Sequence, residues 1–351
     1  MAILRGMRYV IYGAGGVGGA IGARLFQRGR EVVLIARGAH LEALQRDGLS
    51  LRTPDETVTL RIPAVGHPSE ITFGPYDAVL LTVKSQDTAA ALDELRAALR
   101  RGSGRPFETP VPGSSGRTVD ELPVICAQNG VANERMALRR FSRVYAMMVM
   151  LPATHLRPGE VIMHAAPVGG ILDAGRYPAG VDPLVEQVVG DMSEAGFDSR
   201  ADPRVMRIKH AKLVENLANA VQALSGLDAA AGELVRAVRA EGVACLQAAG
   251  IDFATELEMD ERRAEVMRGL RPIEGQARGG STWQSLARGA GSIETDYLNG
   301  EIALLGGLHG VPTPYNRLLQ RLAIEAAREG RPPGSYTAEE LMEMGPERTP
   351  G

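Results

Sequence analysis

Two cysteines in 351 residues, Cys126 and Cys245, are too few and too far apart for a disulfide framework. Reduced thiols and a cytoplasmic setting are the expectation. The six histidines (His40, His67, His155, His164, His210 and His309) show no paired ligand spacing such as H-x-x-x-H, so no metal is expected. No apolar run reaches ~20 residues, which argues against a membrane span. The first six residues are too short and polar for a signal peptide. With a formal net charge of -3 there is no basic field to attract nucleic acid. Internal repeats are absent as well. What remains is a chain with 44% hydrophobic and 23% charged residues, long enough for two domains with separate cores.

The clearest positive signal stands near the start. Residues 8–12 form a short apolar run of the kind that makes a buried parallel strand. Gly13-Ala14-Gly15-Gly16-Val17-Gly18 follows at the spacing G-x-G-x-x-G, and residues 20–28 continue as a helix with Ile21 and Leu25 on one side. In that setting Gly13 permits a tight turn and Gly15 lets the backbone approach a pyrophosphate. Gly18 allows the helix to pack against the strand, and the helix N-terminus stabilises the anion. The expectation is a dinucleotide site.

A second strand at residues 31–36 ends ~20 residues beyond the glycines, where an NAD enzyme usually carries Asp or Glu for the ribose 2′-hydroxyl. Here Ala36-Arg37 stands instead. A carboxylate would repel a 2′-phosphate, whereas a guanidinium pairs with it. NADP(H) is therefore the expected cofactor, although an arginine after a strand is also an ordinary solvated residue.

Strands and helices keep alternating: a helix over 40–47, alternating polarity over 58–62, a buried strand over 76–84, a helix over 88–99 and a strand over 123–127. Further strands are read at 144–151, 161–165 and 168–172. This pattern predicts an α/β, doubly wound Rossmann-type sheet. Residues 100–120 turn to Gly, Pro, Ser and Arg and read as a mobile loop or insertion. From about 202 the pattern becomes helical, with helices over 205–224, 229–249, 255–270, 293–308 and 314–328. The expected domains are 1–201 for NADP binding and 202–330, all helical, for substrate and catalysis. Residues 331–351 would be a tail. In such a pair of domains the active site is expected in the cleft between them.

Lys84 and Asn129 each follow a predicted buried strand and would face the same crevice as the glycine turn. Lys84 could reach cofactor phosphate or ribose, and Asn129 could bond around the nicotinamide ribose or substrate. In the helix over 205–224, Asn216 lies ~40° from Lys212 and Asn219 ~20° to the other side. Leu213, Leu217 and Val221 take a different, apolar face. A buried lysine with two asparagines needs polar partners, which a carboxylate-bearing substrate with a reacting carbonyl would supply. Ser281 lies in Gly279-Gly280-Ser281-Thr282-Trp283, and Glu294 opens the next helix, whose buried stripe reads as Ile293, Tyr297, Gly300 and Leu304. On its own Glu294 is equally an acid favoured at a helix N-terminus.

Taken together these segments resemble the ketopantoate reductase (2-dehydropantoate 2-reductase) family, NADPH-dependent enzymes of pantothenate biosynthesis. The matching residues are the glycine turn, Arg37, Thr82-Val83-Lys84, Gln128-Asn129-Gly130, Lys212-Leu213 with Asn216, Ser281, and Glu294-x-Asp296-Tyr297-x-Asn299-Gly300. They fall in family order across residues 7–325. The resemblance implies that Lys212 is the general acid and Glu294 the acidic partner that helps hold the substrate. It makes Asn216 and Ser281 substrate ligands, Asn129 a residue touching cofactor and substrate, and Arg37 and Lys84 cofactor-phosphate contacts. Two positions depart from the family pattern. Ala220 stands where a second substrate-facing asparagine is usual, a role that Asn219 could take. Ser285 stands where an aspartate is usual.

The activity expected on that basis is NADPH-dependent reduction of 2-dehydropantoate to pantoate, the proton coming from Lys212. Two alternatives remain beside it. One is the same chemistry on a different 2-oxo acid, motivated by Ala220 and Ser285; the other is a non-catalytic NADP-binding sensor. Helical second domains of dehydrogenases often pair, which makes a homodimer one expectation for assembly.

Overall fold

The computed structural model describes residues 6–102, 119–226, 232–267, 279–289 and 291–345. They form two compact units. The first holds the described residues of Met1–Asn129, Asn133–Met206 and Leu257–Glu274; the second holds those of Gly130–Ala132, Arg207–Glu256 and Gly275–Gly351.

The strands are β1 (Arg8–Tyr12), β2 (Glu31–Ile35), β3 (Leu49–Arg52), β4 (Thr57–Leu60), β5 (Ala64–Val65), β6 (Asp77–Leu81), β7 (Val124–Cys126), β8 (Val144–Met150), β9 (Ala153–Thr154), β10 (Glu160–Met163) and β11 (Ile171–Arg176). Among them run α1 (Gly16–Gln27), α2 (Gly38–Asp47), α3 (Thr88–Gly102) and α4 (Asn133–Leu138), and α5 (Pro183–Glu194) follows. A seven-stranded sheet has the order β11-β8-β7-β6-β1-β2-β5. It is parallel except for β11, which pairs antiparallel with β8.

Side chains alternate between the two faces, as the two-residue period of a strand requires. Tyr9, Ile11 and Leu80 pack on the side of α1 and α5. Val10, Tyr12, Val79 and Leu81 pack on the side of α3, with Leu92 and Leu95. Both faces are covered, which is why β6 is buried along its whole length. Strand order reverses between β1 and β6, the switch point at which such sheets bind ligands. Tyr12 is in register with both Ile35 and Leu81, so β1, β2 and β6 end at one level.

A second, four-stranded sheet has the order β4-β3-β10-β9. Sequence reading finds the segments of β4 and β10 but not that they leave the main sheet. Strand β10 pairs with β3, joining residues 110 positions apart, Glu160 with Ser50 and Ile162 with Arg52, and local patterning does not encode that partnership. The last strand of the main sheet is Ile171–Arg176 rather than 168–172, because Gly169 and Gly170 fall before the antiparallel ladder to β8 begins.

In the helical region the chain forms α6 (Val205–Asn216), α7 (Ala218–Ser225), α8 (Glu233–Ala248), α9 (Glu256–Met267), α10 (Ser281–Ala287), α11 (Asn299–His309), α12 (Pro314–Glu329) and α13 (Ala338–Glu343). The single helix expected over 205–224 is two helices meeting at Leu217. At that junction the Asn299 amide donates to the Leu217 carbonyl at 3.2 Å. The helix expected over 293–308 is a 3₁₀ turn, Glu294–Tyr297, followed by α11. Its inner face is Ile302, Ala303 and Leu305, and Leu304 is 51% exposed. Residues 331–345 are not a loose tail. Gly334 and Tyr336 donate to the carbonyls of Ala223 and Leu224, and Leu341 of α13 is fully buried. Most of the insertion expected over 100–120 lies outside the described residues, as does 346–351.

Candidate active site

The glycine turn joins β1 to α1, and each glycine in it meets a distinct demand. Gly13 has φ +111°, and a Cβ there would stand 2.7 Å from the Val83 amide nitrogen. A Cβ on Gly18 would fall 2.3 Å from the Gly13 carbonyl oxygen and 2.4 Å from Thr82 Oγ1. Thr82 itself donates to the Gly13 carbonyl at 2.8 Å, tying the end of β6 to the turn. Gly15 differs: a Cβ there would meet nothing within 4 Å. Its side of the turn is open, and no side chain caps α1. The first-turn amides of a helix have no acceptor within it. An open backbone surface leading to an uncapped helix start fits a pyrophosphate.

The turn is also held from outside. The Gly159 amide donates to His40 Nδ1 at 2.9 Å, so the His40 proton sits on Nε2, which is 2.7 Å from the Ala14 carbonyl. His155 lies beside it with ring centroids 4.1 Å apart. Burial, with the neighbouring His155, pushes the His40 pKa down to about 4. Because the Gly15 amide donates to the Gly13 carbonyl, the peptide between Ala14 and Gly15 has both polar groups engaged within the protein.

Lys84 and Asn129 emerge beyond β6 and β7, and buried polar side chains fasten their two segments together. Gln128 donates to the Val83 carbonyl at 2.7 Å and to Thr88 Oγ1 at 2.8 Å. Thr88 donates to Asn133 Oδ1, and Asn133 Nδ2 reaches both Ser85 Oγ and the Asn129 carbonyl. Gly130, at φ +76°, completes the turn after Asn129. In the sequence Gln128 has significance only as part of a motif, and Thr88 and Asn133 carry no pattern of their own; their roles exist only through these long-range bonds. Arg37 stands between β2 and α2 at the N-cap position, makes no side-chain capping bond, and is mostly exposed. Its Nη2 donates to Glu94 Oε2 at 2.7 Å, and Glu94 of α3 went unnoticed in the sequence because 57 residues separate the pair. The same carboxylate oxygen accepts from the Tyr12 hydroxyl. Burial and Glu94 raise the Tyr12 pKa well above the usual phenol value.

The second unit carries the remaining expected residues. Leu213, Leu217 and Val221 are buried, and Lys212, Asn216 and Asn219 are half-buried on other sides of α6 and α7. Several buried polar atoms of this unit lack a hydrogen-bond partner, among them Thr282 Oγ1, Thr295 Oγ1, Asn299 Oδ1 and Thr313 Oγ1, and two of them belong to expected substrate ligands. Asn216 Nδ2 and Ser281 Oγ are buried without a hydrogen-bond partner. Gly280 packs tightly at the start of α10: its amide donates to Gln222 Oε1, and a Cβ on it would stand 2.9 Å from Asn219 Oδ1. Asn219 is thus next to the Ser281 segment. Glu294 is 8% exposed in its 3₁₀ turn. Asn299 holds that turn's continuation to Leu217, one residue after Asn216. Ala220 and Ser285 are both 1% exposed, and Ser285 Oγ donates back to the Ser281 carbonyl at 2.8 Å.

Among the described residues no group of three or more His, Cys, Asp or Glu side chains could hold a metal ion. No helix among them is long and apolar enough to cross a membrane.

Comparison with known proteins shows the family. The model of ketopantoate reductase PanE/ApbA matches residues 9–178, and that of the ketopantoate reductase PanE/ApbA C terminal matches residues 204–327. The 2-dehydropantoate 2-reductase of Mesorhizobium japonicum is 27% identical over 349 residues, covering 91% of this chain and 98% of that protein. The 2-dehydropantoate 2-reductase of Pyrococcus horikoshii is 28% identical over 212 residues, 60% of this chain and 62% of that protein. Among solved structures, a PanE/ApbA family ketopantoate reductase from Ralstonia eutropha is 28% identical with a TM-score of 0.72, covering 93% of this chain and 100% of that one. A D-mandelate dehydrogenase in ternary complex with NADH and anilino(oxo)acetate shares the fold at 20% identity and a TM-score of 0.73, covering 92% and 99% of the two chains. With the glycine turn in the span of the first family match and Lys212, Ser281 and Glu294 in that of the second, this chain belongs to the ketopantoate reductase family of nicotinamide-dependent oxidoreductases acting on CH–OH groups.

Proposed function

We propose that the protein reduces 2-dehydropantoate to pantoate, using NADPH. The first unit holds the cofactor through the glycine turn, Arg37, Lys84 and Asn129. The bound cofactor supplies a hydride to the carbonyl carbon of the 2-oxo acid. Negative charge then develops on the carbonyl oxygen, and the Lys212 ammonium donates a proton to it, completing the 2-hydroxy acid. Asn216, Asn219 and Ser281 bind the substrate's polar groups, joined by Asn129, and Glu294 helps to hold it.

The observation that carries this reading is the pair of buried, unpartnered atoms at Asn216 Nδ2 and Ser281 Oγ. Leaving a buried donor unsatisfied costs about 1–3 kcal/mol, so such groups point to a polar ligand. Both lie in the unit that carries Lys212 and Glu294.

A second reading keeps the chemistry and changes the oxo acid. It rests on Ala220, which offers no polar group, and on Ser285, whose hydroxyl is turned to its own helix. Both positions alter the chemistry available to a substrate, and Asn219 compensates for only one of them.

Turnover of a panel of 2-oxo acids, followed by consumption of reduced nicotinamide, separates these readings. The proposal expects 2-dehydropantoate to show the highest kcat/KM. Lys212→Ala should cut kcat at least ~100-fold, the usual minimum for losing a general acid, and leave cofactor affinity unchanged. Preference for another oxo acid would establish the second reading. Cofactor binding with no turnover of any oxo acid would instead make the protein a non-catalytic sensor.

A further inference from the structure

The end of β2 is where the adenosine ribose of a bound dinucleotide is read: a carboxylate there accepts from a 2′-hydroxyl, and a cation pairs with a 2′-phosphate. This chain brings both groups to that place. Arg37 supplies the cation, and Glu94 reaches it from α3 on the sheet face shared with Tyr12. Two donors fix the Glu94 carboxylate, Arg37 Nη2 and the Tyr12 hydroxyl, and Tyr12 is itself anchored in the buried core. His67 Nε2 stands 3.9 Å from the same oxygen. Two hydrogen bonds therefore hold the carboxylate in this corner, where the Glu94 side chain is 33% exposed and that of Arg37 62%. Of the five N–H donors on a guanidinium, this bond uses one and leaves others for a ligand.

We propose that Glu94 is a cofactor-specificity determinant, opposing a ribose 2′-phosphate at Arg37 while accepting a hydrogen bond from a 2′-hydroxyl. The proposal rests on the glycine turn and the β2 end being the dinucleotide site, and is independent of which oxo acid is reduced. A phosphate dianion and a carboxylate sharing one guanidinium lie about 5 Å apart, and in water their repulsion is worth roughly tenfold in affinity. Preference for NADP(H) is then a balance between two residues, with Arg37 favouring the phosphate and Glu94 lowering its advantage.

The test is calorimetric titration of the full-length protein with NADP⁺ and with NAD⁺ at low ionic strength. It compares the wild type with Glu94→Gln, Glu94→Ala and Arg37→Gln. Both Glu94 substitutions should tighten NADP⁺ roughly tenfold, and neither should tighten NAD⁺. Arg37→Gln should weaken NADP⁺ more than NAD⁺. If both Glu94 variants keep the ratio of the two Kd values within twofold of wild type, the proposal is overturned. Two Glu94 variants guard against one that misfolds, which its unfolding midpoint would reveal. The wild-type ratio alone judges the NADPH reading above, whereas the change on substitution judges Glu94, so the two can fail separately.

Discussion

Asn216 holds a buried amide nitrogen with nothing to bond, and its substitution separates stability from binding. In the free protein Asn216→Ala removes an unsatisfied donor, so unfolding free energy should stay level or rise by up to about 1 kcal/mol. If Asn216 binds the substrate as proposed, the same change would delete a hydrogen bond to a charged group, worth about 1.5–3 kcal/mol, so KM should rise roughly tenfold to a hundredfold. Denaturant unfolding together with steady-state kinetics checks both halves. A variant that lost stability and kept KM would make Asn216 structural. Lys212 and Asn216 could be placed on one side of a helix from spacing alone, because helical geometry is local. Glu94, Thr88 and Asn133 could not be found that way. Their partners lie 40 or more residues away, and only the folded sheet brings them together.

Among the elements, the glycine turn makes two contrasting demands on substitution. Gly18→Ala would drive a Cβ into the Gly13 carbonyl and Thr82, where backbone has to move, so the fold should lose several kcal/mol. Gly15→Ala would meet no protein atom, and its φ of -73° suits any residue. Its melting temperature should remain near wild type while the Kd for the cofactor rises at least tenfold, since the methyl group occupies the pyrophosphate's approach. Thermal melts and cofactor titration of the two variants form one experiment. The spacing of these glycines was legible because each answers a local constraint. The clamp on the turn was not, since it comes from α2 and from Gly159 before β10.

His40 makes that clamp sensitive to pH. Its pKa is about 4 in the folded protein against the usual 6.5, so between those values the unfolded chain binds a proton that the folded one does not. The contribution is fully present above 6.5, falls as pH drops through that window, and is gone below about 4. Glutamine offers a donor and an acceptor without titrating, so His40→Gln should unfold with a shallower pH dependence than wild type between 6.5 and 4. Urea denaturation at a series of pH values measures the difference. Parallel curves would remove His40 as the source.

At the scale of the whole molecule, the chain does not complete one unit before starting the next. It leaves the first unit after Met206, builds part of the second, and returns at Leu257, so that α9 from there on belongs to the first. Composition along the sequence shows a change from alternating strands and helices to helices alone, but a returning helix looks like any other helical segment. Arg262 on α9 is what the return delivers. It is 9% exposed and grips Asp173 of β11 through two bonds, Nε to Oδ2 at 2.9 Å and Nη2 to Oδ1 at 2.7 Å, and it also pairs with Asp198. Asp173 is 2% exposed, and besides Arg262 it accepts from the Arg200 amide. Removing the arginine would leave a buried carboxylate without its cation, and breaking such a pair from one side costs about 3–5 kcal/mol. Arg262→Met should therefore lower the unfolding free energy of the first unit by that amount. Adding Asp173→Asn to Arg262→Met should recover part of the loss, because the amide oxygen can still accept from Arg200 and no charge is stranded. Denaturant unfolding of the wild type, of Arg262→Met and Asp173→Asn singly and of the double variant reads the coupling. A loss under 1 kcal/mol, or no recovery in the double variant, would mean that α9 is held by its apolar contacts and that the ion pair adds nothing to the first unit.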